Sequence, residues 1–392
     1  MDIAAIRKLI PATQKVMYLN TGWSGPSPQP VIDAIVSAVQ HENDEGPTTP
    51  PIAEANRAAR PKAREAFAGF LGVTAEAITL TGNTTHGLNL VLSGMTWRAG
   101  DELITTDLEH GSGFVPAYNL RERYGVAVRI VSLGPLDGVD AIVGKLEAAI
   151  TARTRLIVLS HIMYTTGLLM PLHDINRMAH AHGVQVLVDG AQTFGQLPLD
   201  LDGLECDYYA GPGHKWLLGP EGTGALYVRK ELLPSLQPAA VSSHAALSYD
   251  NAGHFEPASA SSEKFELTSS NVPMLHGVMA AIDFLQGIGM LAIQERWQGL
   301  TERLRQRLAE APGVAVTSPP AGPTACGLVT FTVAGWEPRP LVAALWEREK
   351  VVIRAVPFPA GVRASVDFFN TEDEMDQLAG VVATLAQEGP AA

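Results

Sequence analysis

The sequence predicts an α/β fold, in which a mostly parallel seven-stranded sheet carries helices on both faces and is followed by a smaller α+β domain. Two observations support this prediction. Short runs rich in β-branched and apolar residues alternate with longer amphipathic stretches through the first two-thirds of the chain. Two of the short runs, "RLIVL" and "VQVLV", are apolar throughout, as strands buried on both faces are. The length of 392 residues suits two domains.

The elements of the predicted sheet follow one another in regular order. The strand candidates are "AITLT" (77–81), "ELITT" (102–106), "VAVRIVSL" (126–133), "RLIVLSH" (155–161), "VQVLVDG" (184–190), "CDYYAG" (206–211) and "GALYVR" (224–229). Between the earlier strands, helical periodicity predicts helices over 84–95, 111–124, 137–150 and 171–182. The segment 237–273 is rich in Ala, Ser, Pro and Gly with little periodicity, and it predicts a long functional loop or connection.

The last third of the chain has a different pattern. It begins with a long helical stretch from residue 274 and continues with the strand candidates "GVAVTS", "GLVTFTV", "VVIRAV" and "VRASVDF", and with helices over 338–349 and 371–387. We therefore expect a large α/β domain over 15–260, and a small α+β domain formed by 1–14 and 261–392.

Composition and charge exclude several classes of partner. The formal net charge of −13, without any basic run interleaved with aromatic residues, argues against binding to nucleic acid or to an anionic membrane. Cys206 and Cys326 are far apart, so neither a disulfide framework nor a metal site is expected. The N-terminus lacks the apolar core of a signal peptide, and no run of about 18 apolar residues occurs. We expect a cytoplasmic protein.

Polar residues follow five of the predicted strands directly. The segments are "TGNTTHGLN", "TDLEHGSG", "HIMYTTG", "DGAQTFG" and "GPGHKW". In open α/β sheets, ligands bind outside the carboxyl ends of the strands. We therefore expect these five segments to converge on one ligand site at the sheet edge.

Three of these segments suggest a phosphorylated, heterocyclic ligand. Thr84 and Thr85 of "GNTTHG" open a helix, where they either cap it or, together with His214 and Lys215, bind an anion such as phosphate. Asp189 follows a buried strand, where it either caps the chain or keeps a heterocyclic nitrogen protonated. Gln192 lies one helical turn further on and can reach the same ligand.

Lys215 lies in the Gly-rich turn "GPGHKWLLGPEGTG" at the same predicted edge. A single lysine is usually a solvated surface residue. Burial lowers the pKa of an amine and makes it nucleophilic, and glycines let the backbone approach a ligand closely. The turn therefore predicts a lysine that forms a Schiff base with an aldehyde cofactor.

Together these segments resemble a known family. "VLVDGAQ", followed by "GHKWLLGPEGTGALYV", is similar to pyridoxal-phosphate (PLP) enzymes of fold type I, in the class V aminotransferase and cysteine desulfurase group. The resemblance extends from "YLNTGWSGPSP" (18–28) to "RASVDFFNT" (363–371). Within the group, "SHIMYTTG", "LPLDLDGLECDYYAGPGHKW", "KFELTSSNVP" and "GLVTFTV" are most similar to the cystine (cysteine) C–S lyases.

The resemblance implies a role for each candidate residue. Lys215 would hold PLP and move protons at the substrate Cα, Asp189 would pair with the pyridine nitrogen, and His110 would lie on the ring face. Arg363 would bind the substrate carboxylate. Separately, the aromatic and small residues of Trp23, Tyr164 and the loop 237–262 are expected to shape the substrate pocket. The remaining expected cofactor ligands are Gln192 at the phenolic oxygen and Thr84, Thr85 and His214 at the phosphate, joined by Ser269 from the partner subunit of a homodimer.

His110 and Arg363 also have simpler interpretations from the residues alone. His110 is equally consistent with a hydrogen-bonded loop histidine, and Arg363 with a solvated charge at a strand end.

Three departures from the family pattern refine the prediction. The segment "AVPFPAG" (355–361), where cysteine desulfurases carry a mobile persulfide-forming cysteine, has no cysteine. Tyr164 stands where an asparagine often reaches the cofactor oxygen. Pro212 replaces a hydroxyl residue and cannot donate a hydrogen bond to phosphate.

We therefore predict a PLP-dependent C–S lyase that acts by β-elimination on cystine, cysteine or a cysteine conjugate, giving pyruvate, ammonia and a sulfur product. The alternatives are a class V aminotransferase or an isopenicillin N epimerase-like enzyme on the same scaffold. A PLP-binding protein without turnover is disfavoured, because neither Lys215 nor Asp189 is needed to fill a core.

Overall fold

The structure is a computed structural model that describes residues 1–390. The α-helices are α1 (Ile3–Lys8), α2 (Gln29–Glu45), α3 (Pro50–Leu71), α4 (Thr84–Gly94), α5 (Gly111–Tyr124), α6 (Val139–Ala149), α7 (Leu172–Ala181), α8 (Val272–Ile288), α9 (Met290–Ala309), α10 (Pro338–Glu349) and α11 (Glu372–Glu388). The strands are β1 (Met17–Tyr18), β2 (Ile78–Thr81), β3 (Glu102–Thr106), β4 (Ala127–Val131), β5 (Thr154–Ser160), β6 (Gln185–Asp189), β7 (Tyr208–Pro212), β8 (Gly224–Val228), β9 (Ala246–Tyr249), β10 (Phe255–Pro257), β11 (Val314–Val316), β12 (Leu328–Val333), β13 (Val351–Val352), β14 (Arg354–Pro357) and β15 (Ala360–Ser365).

The large sheet has seven strands in the order β2-β8-β7-β6-β5-β3-β4. Its neighbours pair in parallel except for β8, which is antiparallel to both β2 and β7. This arrangement confirms the predicted mostly parallel seven-stranded sheet. The strands β3, β5, β6 and β7 are parallel and adjacent, so their carboxyl ends lie along one edge.

The smaller lobe is built on an antiparallel sheet of four strands in the order β11-β12-β15-β14. Helix α11 begins with a capping box, in which Thr371 accepts from the backbone N–H of Glu374 and the Glu374 side chain accepts from that of Thr371. In the antiparallel pair of β14 and β15, Arg354 lies directly opposite Arg363, so the two side chains share one face.

The structure has a large and a small hydrophobic core, and the chain passes from the large core to the small one after the predicted domain boundary at 260. Helix α8 packs in the large core through Val278 and Leu285, and Ile10 of the N-terminal segment lies in the same core. Helix α9 belongs to both, because Trp297 packs in the large core and Leu304 in the small one. The segments 1–14 and 261–288, which were assigned to the small domain, thus contribute to the large core. Residues 391–392 of that assignment lie outside the described residues.

Three other predicted elements differ from the structure. The segment 237–273 is not entirely irregular, since β9 and β10 pair as a hairpin whose side chains are mostly exposed. The helical stretch after 274 consists of α8 and α9, separated at Gly289, whose φ of +95° favours glycine. The candidate "VVIRAV" is two strands, because β13 pairs with β1 and β14 with β15. Sequence periodicity does not reveal such changes of partner.

Within residues 1–390, no single helix is long and apolar enough to cross a membrane. Helices α8 and α9 meet both criteria only when they are taken together, and the chain bends by 74° between them.

Candidate active site

A cavity of about 320 Å³ lies at the carboxyl ends of the parallel strands, where the five polar segments were expected to converge. It is bounded by the loops that follow β2, β3, β5, β6 and β7 and by the segment after β1. The predicted site residues that line it are Trp23, Thr84, Thr85, His110, Tyr164, Asp189, Gln192, His214 and Lys215. Arg363 and Ser269 are the two predicted site residues that do not line it.

Lys215 and Asp189 lie close enough for each charge to influence the other. Burial lowers the pKa of Lys215 to about 8, and the Asp189 carboxylate opposes that change. Burial also raises the pKa of Asp189, and the positive charge of Lys215 opposes this increase. One Asp189 oxygen accepts from the backbone N–H of Ala191 at 2.8 Å. A carboxylate and an amine of lowered basicity therefore share one buried end of the cavity.

The turn that carries Lys215 packs tightly against the segment after β1. The Gly25 N–H donates to the His214 carbonyl at 2.7 Å, and a Cβ added at Gly25 would lie 2.2 Å from the Lys215 carbonyl oxygen. No side chain fits there, which explains a glycine at position 25 and fixes the backbone of Lys215.

The start of α4 offers a site for an anion. Thr84 and Thr85 are its first residues, and the Thr85 hydroxyl donates to Ser112 Oγ at 2.8 Å. The Thr84 hydroxyl and His214 Nδ1 are buried and find no hydrogen-bond partner within residues 1–390. Because buried polar groups normally have partners, these atoms indicate a ligand with acceptor oxygens beside the N–H groups of the helix start.

His110 is held in one orientation by its own loop. It caps α5, and its Nδ1 accepts from the Ser112 N–H at 3.2 Å. Its ring meets that of Tyr164 edge to face, with centroids 5.0 Å apart. Burial, followed by the charges of Lys215 and Arg354, lowers the pKa of His110, so its imidazole is neutral near pH 7.

Gln192 is fixed by two protein contacts. Its Nε2 donates to the Gly22 carbonyl at 2.9 Å, and its Oε1 accepts from Trp216 Nε1 at 2.8 Å. An amide nitrogen has two hydrogens, so one donor is left for a ligand in the cavity.

Arg363 is fully buried behind the cavity wall. Its Nη1 donates to the Tyr164 carbonyl at 2.7 Å, whereas its Nε and Nη2 have no partner in the described part of the chain. Burial and the nearby Arg354 charge lower the pKa of Arg363 to about 9. A Cβ at Gly22, which lines the cavity, would lie only 3.0 Å from Nη2, so the glycine leaves space between the cavity and this guanidinium.

Arg354 is a site residue that sequence reasoning missed. It lines the cavity and stacks on Trp23, with its guanidinium carbon 4.5 Å from the ring centroid. Its only sequence signal was its place in the strand candidate "VVIRAV". Other cavity-lining residues that were not predicted are Gly22 in the segment after β1, and Asn83, Ser112, Ser160, Ile162 and Ala191, which lie within or next to the polar segments.

Ser269 lies away from the cavity, on the surface. It is exposed and borders a depression together with Arg57, Arg60 and His244. One chain therefore does not bring Ser269 to the other predicted phosphate ligands, and its role across a dimer interface stays a prediction.

The two cysteines are buried and unpaired with each other. Both belong to the apolar core, and burial raises the pKa of the Cys206 thiol to about 12 and that of Cys326 to about 11. The segment 355–361 contains the tight turn of the β14–β15 hairpin and the paired strand residues beside it. In residues 1–390, no group of three or more His, Cys, Asp or Glu side chains is arranged to hold a metal ion.

The family model for class V aminotransferases matches residues 17–378. A probable cysteine desulfurase of Methanothermobacter thermautotrophicus is 30% identical over 400 residues, which cover 98% of each chain. An isopenicillin N epimerase of Amycolatopsis lactamdurans is 33% identical over 403 residues, again 98% of each chain. These matches confirm the family resemblance read from the motifs.

Solved structures of the protein C-DES are also similar to this chain. The complex of the cystine C–S lyase C-DES with its reaction product cysteine persulfide has a TM-score of 0.89 and 29% identity, over 95% of this chain and 99% of that one. A C-DES mutant with glycine covalently linked to the PLP cofactor has a TM-score of 0.90 and 29% identity, over 96% and 98%.

Proposed function

The chain belongs to the aminotransferase class-V family as a PLP enzyme that acts on sulfur amino acids, and from that premise we propose that it is a cystine C–S lyase. In the proposed reaction L-cystine and water give pyruvate, ammonia and cysteine persulfide. The observation that carries this proposal is a cavity with Lys215 and Asp189 at its inner end, two arginines beside it and no thiol among the described residues that line it.

The residues present fit the cofactor. The unpartnered Thr84 hydroxyl and His214 Nδ1, with Thr85 and the N–H groups of α4, would hold the phosphate. The free Asp189 oxygen would hold the pyridine nitrogen, and the remaining Gln192 hydrogen the phenolic oxygen. When bound, PLP supplies an aldehyde that joins to amines and a ring that accepts the electrons left by a departing Cα proton.

Lys215 would remove that proton from the substrate Cα. Its pKa of about 8 leaves a useful fraction of neutral amine near pH 7, which a general base requires. The proton stays on the amine while the bond between Cβ and sulfur breaks and the sulfur leaves with the bonding electrons. The neutral His110 would pack over the reacting group and keep water away.

The two arginines support a substrate with two carboxylates. Arg363 has two unused donor groups, which suit the paired oxygens of an α-carboxylate. Arg354 forms no ion pair among residues 1–390 and stacks on the 57% exposed Trp23 at the cavity wall. Cystine carries a second carboxylate beyond its scissile C–S bond, and we propose that Arg354 binds it.

The cysteines argue for a lyase instead of a persulfide-forming desulfurase. A persulfide acceptor must be an accessible thiolate. Cys206 and Cys326 are both buried, and their thiols have raised pKa values. The segment 355–361 contains no cysteine. The sulfur product would therefore leave the cavity without first joining a protein thiol.

An epimerase is the second candidate, favoured by the 33% identity to isopenicillin N epimerase. It would share Lys215, Asp189 and proton removal at Cα, but it would return the proton without breaking a bond to sulfur.

The experiment incubates the holoenzyme with L-cystine or L-cysteine in deuterium oxide, without a keto acid, and follows pyruvate, sulfide and deuterium at Cα. We expect pyruvate from both, faster from L-cystine. Deuterium incorporation without pyruvate would reject the lyase in favour of the epimerase. An added keto acid converted to its amino acid, with 3-mercaptopyruvate formed from L-cysteine in place of pyruvate, would favour the aminotransferase.

A further inference from the structure

Glu109 is a buried carboxyl next to the cavity that the chemistry above does not use. It lies between β3 and α5, directly before His110, and is 5% exposed. It forms no ion pair with any described residue; its contacts are hydrogen bonds to Thr106 and Ser160. A charge in such a place, without a counter-charge, is costly.

The two oxygens of this carboxyl have different surroundings. Its Oε2 accepts from the Ser160 N–H at 2.9 Å and from the Ser160 hydroxyl at 2.6 Å. Its Oε1 lies 2.8 Å from the Thr106 hydroxyl, a group that can either donate or accept. The arrangement suits a neutral carboxyl, in which Oε1–H donates to Thr106 and the carbonyl oxygen accepts both bonds from Ser160.

Ser160 connects this carboxyl to Asp189. Ser160 lines the cavity, ends β5 and pairs in register with Asp189 at the end of β6, while the His161 N–H donates to the Asp189 carbonyl at 2.9 Å. Burial chiefly, and also the Asp189 charge, raises the pKa of Glu109 to about 7, against the opposing hydrogen bonds from Ser160 and Thr106. The carboxyls of Glu109 and Asp189 therefore lie in one buried region, where a charge on Asp189 disfavours a second charge on Glu109.

Other titratable groups lie on the same loop as Glu109 and on neighbouring parts of the same sheet. They are His110 on its own loop, His161 after β5, Tyr209 on β7 and Lys215 after β7. Burial lowers the pKa of His161 to about 3, so it is neutral, and its Nδ1 bonds to the Tyr209 hydroxyl at 2.7 Å. The nearby charge that raises the pKa of Glu109 is that of Asp189, at the end of β6.

We propose that Glu109 is a positioning residue that works as a neutral carboxyl, holding Ser160 at the cavity wall and leaving Asp189 as the single negative charge there. A second charge would oppose the ionisation of Asp189, on which the proton of the cofactor nitrogen depends. This inference rests on the cofactor and not on the amino acid cleaved, so the proposed substrate can fail while this role stands.

The Glu109→Gln variant mimics the neutral form, because its Nε2 can donate to Thr106 and its oxygen can accept from Ser160. Since folding raises the pKa of Glu109, its contribution to stability is present below the ordinary pKa of glutamate and is lost as pH rises through about 7. The Tm of the wild-type holoenzyme should therefore fall relative to that of Glu109→Gln between about pH 5 and about pH 8.

The second readout is the absorbance of the bound cofactor against pH. We expect an inflection near pH 7 in the wild type that Glu109→Gln lacks. The matched control is Glu102→Gln at the start of β3, the strand that precedes Glu109, where hydrogen bonds from Thr151, Arg153 and Arg129 hold the pKa of Glu102 at about 2. This control should lose stability at neutral pH and keep the inflection.

Two results would overturn the proposal. One is a Tm of Glu109→Gln that lies below that of the wild type by the same amount from about pH 5 to about pH 8, because this would show that Glu109 is ionised throughout that range. The other is a wild-type absorbance profile without the inflection near pH 7. This measurement needs no variant, so it tests the proposal even if Glu109→Gln does not fold. Glu109→Ala, which cannot hold Ser160, should lose at least about tenfold in activity.

Discussion

At the scale of single residues, the chemistry depends on how burial changes the acid–base behaviour of a few side chains. The same lysine that would be fully charged on a surface has a pKa of about 8 beside Asp189. His110, close to Lys215 and Arg354, is neutral for the same physical reason. Burial disfavours the charged form of each of these side chains, because the charge loses its hydration.

The first prediction concerns Lys215. Lys215→Ala should lower pyruvate formation by at least about a hundredfold, because the general base is removed. Lys264→Ala is a matched control: burial also lowers the pKa of Lys264 to about 8, but its ammonium donates to the carbonyls of Leu233 and Ser259, away from the cavity. The control should change stability without changing the cofactor absorbance. Substantial turnover by Lys215→Ala would reject the assignment.

The second prediction separates the two arginines. Arg363→Ala should raise KM for every amino-acid substrate by about tenfold or more while the cofactor remains bound, since it removes the α-carboxylate contact. Arg354→Ala should raise KM for L-cystine but much less for S-methyl-L-cysteine, which lacks the second carboxylate. Loss of the cofactor absorbance in Arg363→Ala would show that Arg363 has another role. Equal effects of Arg354→Ala on both substrates would reject its proposed contact.

Sequence reasoning found most cavity residues because they directly follow strands. Thr84, His110, Asp189 and Lys215 all lie at or just after the carboxyl ends of strands along one sheet edge, so a correct strand assignment brings them together. Arg354 was missed because it is inside a strand, where an arginine gives no local signal. Its position beside the site becomes visible only from the pairing of β14 with β15, which places it opposite Arg363.

At the scale of elements, the site is held by close backbone contacts between segments far apart in sequence. Gly25 after β1 packs on the Lys215 turn, and Gly195 after β6 packs on Trp216 of the same turn, where a Cβ would lie 2.2 Å from the carbonyl oxygen. Periodicity predicted the strands themselves, but such contacts depend on tertiary packing. The same limit explains the undetected β9–β10 hairpin, whose exposed side chains lack an alternating apolar pattern.

The third prediction tests the Gly25 contact. Gly25→Ala should displace the Lys215 turn and reduce activity by at least about tenfold, because its Cβ has no space beside the Lys215 carbonyl. Gly69→Ala in α3 is the control, since its Cβ would meet no atom within 4 Å, and it should raise stability by about 0.5–1 kcal/mol. Wild-type activity and cofactor affinity in Gly25→Ala would contradict this account.

At the scale of the whole molecule, a fourth prediction concerns assembly. As the family resemblance implies, we expect a homodimer in which Ser269 of one subunit completes the phosphate site of the other; Ser269 is exposed and does not line its own cavity. Light scattering should give twice the chain mass of 41.7 kDa. Ser269→Ala should weaken PLP retention, whereas Ser248→Ala on the exposed β9 strand should not. A monomer with full PLP affinity would reject this prediction.

The central claim is that the sulfur leaves without help from a protein thiol. It is tested most directly by the ratio of pyruvate to alanine formed from L-cystine and L-cysteine by the Cys206→Ala/Cys326→Ala double variant and by the wild type. Transfer of sulfur to a protein thiol would leave alanine, whereas elimination gives pyruvate. We predict pyruvate from both enzymes, at rates within about twofold of each other. Alanine as the main product of the wild type, lost in the double variant, would contradict the account.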